Sequence, residues 1–254
     1  MKKQNFKIAL LVATLVNFTN YISAANNDIT SAPINNCKII SSSPMDKTDN
    51  RSKQNKLTTA DVNAEFICEI NSPCSIIKST SERVINIINQ GSSPNKTTLL
   101  INNVAKQTFD FNVMTKYAMG DNWKNADKSQ QDKLIKNFSN LLVFTYSTTL
   151  SRFKGAKVTL NKEEMINSKR ASVITQVWLP NSKSQNSPIE VKYELYKTNN
   201  TQSPWLVYNV SIENVSLVGT YRNQFNEIIQ NNKIDGLIKQ LSDKVASLEK
   251  TKTK

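Results

Sequence analysis

Histidine is missing from this chain of 254 residues, and glycine occurs only five times. Histidine is the commonest general base at neutral pH, so its absence excludes Ser-His-Asp and Cys-His catalytic arrangements. The scarcity of glycine leaves no Gly-rich phosphate-binding loop, and the sequence contains no dinucleotide-binding or P-loop pattern. The adjacent carboxylates Glu163 and Glu164 are predicted to lie in a solvated turn. The sequence therefore argues against the common classes of hydrolases and nucleotide-binding enzymes.

Cysteine is also scarce. The three cysteines are Cys37, Cys68 and Cys74, and without histidine they provide too few ligands for a zinc site. We therefore predict no metal and no cofactor. In an oxidising compartment Cys68 and Cys74 are the candidate disulfide, because this pair would close a short loop around Pro73. Cys37 would then stay free or pair elsewhere, and the other two pairings remain open.

The chain has no long apolar run that could cross a membrane. At its N-terminus, Lys2, Lys3 and Lys7 precede a short apolar core at residues 8–16. That core is too short to span a bilayer, and small residues suited to cleavage follow it. Residues 1–25 are therefore predicted to be a cleaved secretory signal peptide. An uncleaved membrane anchor is the alternative.

Positive charge dominates the composition, since 33 Lys and Arg oppose 20 Asp and Glu for a formal net charge of +13. A balance this basic favours anionic partners such as membranes, nucleic acid or acidic proteins. Export argues against nucleic acid as a partner. A basic surface that only keeps the protein soluble explains the charge equally well.

Residues 26–75 are predicted to be a low-complexity leader with cysteines, because most of this segment is rich in Asn, Ser, Thr, Lys and Pro. A folded domain is predicted at residues 76–250. Its first helix is predicted to begin at a capping box formed by Ser79 and Glu82, and a second helical piece starts at Leu99.

The clearest helix is predicted after residues 129–132, which are typical of a helix start. Apolar residues then recur at helical spacing from Leu134 to Phe153. Three strands follow, at residues 171–178, 189–196 and 205–212. Two helices, near residues 221–230 and from Asp235 onward, close the chain. Helices, an antiparallel meander and helices again predict an α+β fold with helices on one face of a curved sheet of about four to five strands.

Two segments carry a resemblance to a known family. The first runs from Phe109 to Gly120 and continues through Trp123 into the long helix, and the second runs from Trp205 to Leu241. The first segment contains an aromatic pair that is followed by a Met, a Gly and a Trp. The second segment contains a Val-Ser-Leu run and, near its end, Ile-Asp-Gly-Leu. In order and spacing these segments resemble the MlaC family of periplasmic phospholipid-binding proteins, also called the toluene-tolerance family.

The chain departs from the family pattern at three positions. Asn209 stands where the family usually has Asp, Asn214 stands where Gly normally follows Glu213, and Lys233 replaces a Gly. These departures put the local turn geometry in question, but they leave the apolar faces in place. The likeness covers roughly residues 80–248.

The resemblance implies a periplasmic carrier without enzymatic activity. Such a carrier shuttles phospholipid between the outer membrane and an inner-membrane ABC transporter, and so maintains outer-membrane lipid asymmetry. The implied partners are phospholipid, the ABC transporter complex and an outer-membrane lipoprotein complex. In that family the sheet and helices enclose an apolar cavity for acyl chains. Because burial of a chain of about 16 carbons contributes roughly 12 kcal/mol, such a carrier needs a deep, dry cavity.

The apolar faces of the resembling segments supply the candidate lipid-binding residues. These are Phe111, Met114, Tyr117, Phe138, Leu142, Tyr146, Leu150, Val210, Ile212, Val215, Leu217, Val218, Tyr221 and Phe225. Arg222 is the candidate for contacting a phosphate head group at the cavity mouth. Ordinary core is the competing interpretation for each apolar candidate, because core and cavity wall use the same side chains.

Two other hypotheses stay open. One is an enzyme on a similar cone-shaped α+β scaffold with a buried carboxylate as base, which a strongly raised carboxylate pKa in a cavity would favour. The other is a secreted interaction module whose basic face binds an anionic membrane or an acidic partner. Such a module should lack a pocket, and its binding should weaken steeply with salt.

Overall fold

The computed structural model describes residues 67–150, 153–180, 188–201 and 204–252. Five α-helices lie in these ranges: α1 (Pro73–Asn89), α2 (Pro94–Thr108), α3 (Phe111–Met119), α4 (Lys128–Leu150) and α5 (Leu217–Lys252). A 3₁₀ helix (Gly120–Asn125) joins α3 to α4. The strands are β1 (Lys157–Asn167), β2 (Arg170–Trp178), β3 (Ile189–Lys197), β4 (Trp205–Ile212) and β5 (Val215–Ser216). The predicted signal peptide, Cys37 and most of the predicted leader lie outside the described residues.

The strands form one antiparallel meander in the order β1-β2-β3-β4-β5. The predicted α+β fold is confirmed, and β2, β3 and β4 lie where apolar alternation predicted them. The apolar pattern does not predict β1, because β1 is an edge strand whose side chains are mostly exposed. Glu163 and Glu164 belong to this strand, so the predicted solvated turn is corrected to an extended edge.

The first helix begins earlier than its predicted capping box. Proline at position 73 opens α1, and the Ser72 hydroxyl accepts a hydrogen bond from the Ser75 N–H at 3.2 Å. Ser79 lies inside the helix, where its hydroxyl donates to the Ile76 carbonyl at 3.2 Å. A proline in the first turn and a serine cap set the start of this helix. The helix therefore begins before residue 76, where the folded domain is predicted to start.

The long helix α4 also begins before its predicted start. The Gln130 N–H donates to the Asp127 carboxylate at 2.8 Å, and the Gln130 side-chain oxygen accepts from the Asp127 N–H at 3.1 Å. This reciprocal pair is a capping box. It replaces the predicted start at residues 129–132, because both side chains satisfy backbone donors that the first turn leaves free.

The N-terminal end of the domain is joined covalently to α1. Cys68 and Cys74 form a disulfide with their Cα atoms 5.7 Å apart. Cys74 is buried, and its backbone N–H donates to the Glu163 carboxylate at 3.2 Å. The start of α1 is thereby held against the edge strand β1, at one end of the sheet.

Two apolar clusters form the core. The helical core lies between α3, the first half of α4 and α5, and it includes Phe138, Tyr221 and Phe225. Their rings pack edge to face, with Phe138 at 4.8 Å from Tyr221 and 5.1 Å from Phe225 between centroids. The sheet core packs the first turns of α1 against the centre of the sheet. Its buried members are Cys74, Ile77, Ala171, Val173, Leu195, Trp205 and Val207.

The last helix breaks at Lys233, which has φ 58° and ψ −176°. The two parts of α5 correspond to the two closing helices predicted from the sequence. This backbone conformation is essentially restricted to glycine. Asn214, in the turn between β4 and β5, has φ 66°. Two positions that depart from the glycines of the family pattern thus keep a conformation that favours glycine.

No helix among the described residues combines the length and hydrophobicity needed to cross a membrane.

Candidate functional site

A cavity of about 250 Å³ lies between the helix-covered face of the sheet and the helices α1, α2 and α4. Its wall is almost wholly apolar, and it is partly open to solvent. The volume is close to the lower end of the roughly 300–1,000 Å³ that is typical of small-molecule sites. Such a space suits a largely apolar ligand, whose transfer out of water is favourable and which has few polar groups that need hydrogen-bond partners.

The sheet supplies one wall through strand alternation, since every second side chain points towards the helices. Val191 on β3 pairs with Ile212 on β4, and Tyr193 pairs with Val210, so their side chains lie side by side. All four line the cavity. The helices supply the opposite wall, through residues spaced three and four apart. On α1 and α2 these include Ile77, Val84, Ile85, Ile101, Val104 and Ala105.

Most of the predicted candidates lie on this wall. They are Phe111, Met114, Leu142, Tyr146, Leu150, Val210, Ile212 and Leu217. They come from α3, the second half of α4, β4 and the start of α5, segments far apart in the chain. The fold brings them together, while their contact with a lipid remains a prediction.

The other candidates lie elsewhere. Phe138, Val218, Tyr221 and Phe225 are packed in the helical core. Val215 is 38% exposed, and the ring of Tyr117 packs on Tyr208 with centroids 5.5 Å apart. The structure therefore places these six in packed core or near the surface instead of on the wall. Helical periodicity identifies side chains that point inward, but it does not say whether a partner or a space lies opposite.

Arg222 does not line the cavity either. Its Nε donates to the Tyr117 carbonyl at 2.8 Å, and the same atom lies 3.4 Å from where a Cβ on Gly120 would be. Gly120 ends α3 with φ 55°, so Arg222 satisfies a carbonyl of the last turn of that helix. Contact with a phosphate head group stays a prediction for this residue.

The residues that α1 and α2 contribute to the wall are not among the predicted candidates. Ile101, Val104, Ala105 and Thr108 follow the spacing of a helical face, and all four line the cavity. This spacing is the signal that could have identified them. It is weak because Asn, Thr and Lys surround these few apolar residues in α2.

Polar side chains on the wall are mostly paired. The hydroxyls of Thr80 and Thr108 lie 3.0 Å apart. Tyr193 is hydrogen-bonded to the side chains of Thr175 and Ser81. Burial raises the pKa of Tyr193, and these two hydrogen bonds offset part of that rise. These groups therefore need no ligand to satisfy them.

Tyr146 differs from these paired groups. Its side chain lines the cavity, but its hydroxyl is buried without a hydrogen-bond partner in the part of the chain that the structure describes. Burial raises the pKa of Tyr146 well above its usual value, and the nearby Tyr221 raises it further. The phenol is therefore neutral at physiological pH and keeps a proton available for donation.

The cap of α3 positions one end of the wall. One Asp110 oxygen accepts from the Val113 N–H at 3.0 Å, and the other accepts from the Tyr196 hydroxyl. Burial and this bond to Asp110 raise the pKa of Tyr196 to about 12. The anchored helix then carries Phe111 and Met114 to the cavity.

No carboxylate lines the cavity within the described residues. The same part of the chain also shows no group of three or more His, Cys, Asp or Glu side chains placed to hold a metal ion. The feature that would favour an enzyme, a cavity carboxylate with a strongly raised pKa, is therefore not observed there.

Comparisons with known proteins agree with this geometry. The family model described as MlaC protein matches residues 78–243. A solved structure described as the phospholipid-binding protein from Ralstonia solanacearum, in complex with a phospholipid, superposes with a TM-score of 0.61 at 24% sequence identity. The match covers 69% of this chain and 97% of that chain. At this identity, the superposition shows a shared fold.

Proposed function

Because this chain belongs to the MlaC family, whose model matches residues 78–243, we propose that it is a phospholipid-binding carrier. The observation that carries the proposal is the apolar cavity of about 250 Å³ between the sheet and three helices. A protein of the same fold, described as binding a phospholipid, supports it. Transfer of each methylene from water to such a cavity contributes about 0.8 kcal/mol.

Loading requires the cavity to widen. A phospholipid with two acyl chains is larger than the drug-sized ligands that sites of roughly 300–1,000 Å³ hold. The disulfide and the sheet core anchor the start of α1, whereas Val84 and Ile85 further along line the cavity. We expect the far end of α1 and the adjacent α2 to move away from the sheet as lipid enters.

The finer proposal concerns direction and place. The carrier shuttles phospholipid in the periplasm between an outer-membrane lipoprotein complex and an inner-membrane ABC transporter, and so maintains outer-membrane lipid asymmetry. Family membership and the predicted signal peptide at residues 1–25 support this assignment. No catalytic residue and no cofactor take part, because moving a lipid between membranes breaks no covalent bond.

The direct test is to purify the chain without residues 1–25, extract it with organic solvent and analyse the extract by mass spectrometry. We expect co-purified phospholipid. We also expect the delipidated protein to take labelled phospholipid from vesicles. Failure of both experiments would contradict the proposal.

A matched pair of substitutions tests the cavity itself. Val191→Trp places an indole on the wall, whereas Val215→Trp adds the same side chain at a residue that is 38% exposed and does not line the cavity. We expect Val191→Trp to lower lipid uptake at least about tenfold, because the indole occupies space that an acyl chain needs. Val215→Trp should bind like the parent protein. Equal uptake by both variants would locate the lipid elsewhere.

A basic interaction module remains the alternative, because the formal net charge is +13. The cavity argues against it, since such a module has no need of a pocket. Uptake from neutral and anionic vesicles at low and high salt separates the two functions. Capture driven by acyl-chain burial should persist at high salt, while binding by a basic face should fall steeply.

A further inference from the structure

Tyr146 is the one wall residue, among those the structure describes, whose buried hydroxyl has no hydrogen-bond partner. Leu142 and Leu150 lie four residues before and after it on α4, and both line the cavity. The tyrosine therefore lies in the middle of the stripe that α4 presents to the cavity. Its ring therefore lies where a ligand in the cavity would contact it.

A buried hydroxyl without a partner is unfavourable, because it has lost water and gained no bond in exchange. Native proteins leave few such groups, and each one requires an explanation. The other wall hydroxyls show that this wall usually satisfies its polar groups internally. Tyr193, which faces the same cavity from β3, is hydrogen-bonded to Thr175 and Ser81. The missing partner of Tyr146 is therefore most simply supplied by the ligand.

We propose that Tyr146 donates a hydrogen bond to an ester carbonyl of the bound phospholipid. This inference rests on the proposed function and deepens it. A neutral phenol donates to an uncharged acceptor, and the ester carbonyls are the acceptors that lie next to the acyl chains in a diacyl lipid. A phosphate is excluded from this position, because no Lys or Arg lines the described wall to balance its charge.

The experiment compares two phospholipids with the same head group and chain length, one with ester-linked chains and one with ether-linked chains. The ether lipid lacks both carbonyls and is otherwise closely matched. Competition for uptake by the delipidated protein measures the preference directly. One hydrogen bond predicts that the parent protein prefers the ester lipid by about threefold to tenfold.

Two phenylalanine variants separate this role from simple packing. Tyr146→Phe keeps the ring and removes the hydroxyl, so it should lose the ester preference. Tyr193→Phe removes a hydroxyl that already has partners, so it should lower the urea midpoint of the free protein and keep the ester preference. Tyr146→Phe should raise that midpoint, because it removes an unsatisfied buried group.

Each result has a definite consequence. Equal binding of ester and ether lipids by the parent protein, or an ester preference that survives Tyr146→Phe, overturns this inference and leaves the carrier function standing. A lower urea midpoint for Tyr146→Phe also overturns it, since the hydroxyl would then have a partner in the free protein. Failure of the parent protein to bind either lipid contradicts the proposed function, and this inference with it.

Discussion

The helical core and the cavity wall use the same kinds of side chain, but the core is closely packed and the wall borders an empty space. Helix α4 runs through both regions, and Phe138 and Tyr146 lie on the same stripe, about two turns apart. Phe138 is fully buried against the rings of Tyr221 and Phe225. Tyr146 faces open space across from the sheet. The difference lies in what is opposite: α5 covers the first half of α4, whereas the second half borders the cavity and packs against α2, where the Thr98 and Ser147 hydroxyls lie 3.2 Å apart.

Anchoring at one end explains why the hollow region does not collapse. The first turns of α1 rest on the sheet through Cys74 and Ile77, and the disulfide reinforces this end. Further along, Val84 and Ile85 stand across the cavity from β3 and β4. A helix that is packed on the sheet at its start and spaced from the sheet further along leaves an apolar space that can widen. Tight packing in the helical core has no such freedom.

The largest expected effect is a difference in the free energy of unfolding between two truncations on α4. Phe138→Ala should lower the free energy of unfolding by about 3–5 kcal/mol, because it removes a ring from a filled core. Leu150→Ala should cost less than about 2 kcal/mol, since its side chain already borders empty space. Urea denaturation of both variants measures the difference. Similar losses would show that the wall is as tightly packed as the core.

The junction between the two regions gives the next effect. Asn209 on β4 donates to Glu194 at 2.6 Å and accepts from the Val218 N–H at 3.2 Å, which ties the sheet to the start of α5. Asn209→Asp should lower the free energy of unfolding by about 1–3 kcal/mol, because a carboxylate cannot donate to Glu194 and repels it. Adding Glu194→Gln should restore most of the loss in denaturation experiments. No rescue would mean that the pair is not coupled.

A gain of stability is expected within the helical region. Lys233→Gly should raise the free energy of unfolding by about 1–2 kcal/mol, because φ 58° with ψ −176° strains any side chain. Lys239→Gly, inside the same helix, is the control and should lose about 1 kcal/mol. Thermal unfolding distinguishes the two. Lipid uptake should not change in either variant, since neither residue lines the cavity.

The smallest effect appears just above pH 10. Burial raises the pKa of Tyr221 in the helical core and of Tyr146 and Tyr193 on the wall above the usual 10. Groups whose pKa is higher in the folded state stabilise it fully below pH 10, and this contribution is lost as the pH rises through the folded pKa. Stability should therefore decline from about pH 10 upward, and Tyr221→Phe should make the decline shallower.

Urea midpoints measured at a series of alkaline pH values test this expectation. Tyrosinate absorbance, followed on the same samples, reports which groups ionise. A parent protein whose stability stays constant to pH 12 would show that these phenols ionise as easily in the folded state as in the unfolded chain. Comparison of Tyr221→Phe with Tyr193→Phe separates the helical core from the wall.

Much of the architecture follows from local pattern. Alternation locates β2, β3 and β4, and helical spacing locates α4 and both parts of α5, since each pattern reflects one buried face. The pattern does not locate the edge strand β1, because most of its side chains are exposed, the apolar Met165 and Ile166 among them, and no buried apolar face repeats at every second residue. Local pattern does not locate the helix starts either. Ser72 and Asp127 act as caps through hydrogen bonds that several nearby serines and aspartates could make equally well.

The amino-acid sequence by itself determines which side chains turn away from water, because the periods of a strand and a helix are properties of the local backbone. Only the tertiary structure decides what those side chains meet. Phe138 finds Phe225 across a filled interface, whereas Tyr146 finds a space bounded by strands that come later in the chain. The cavity exists because elements that are remote in the chain are held apart, and all of their contacts together set the distance between them.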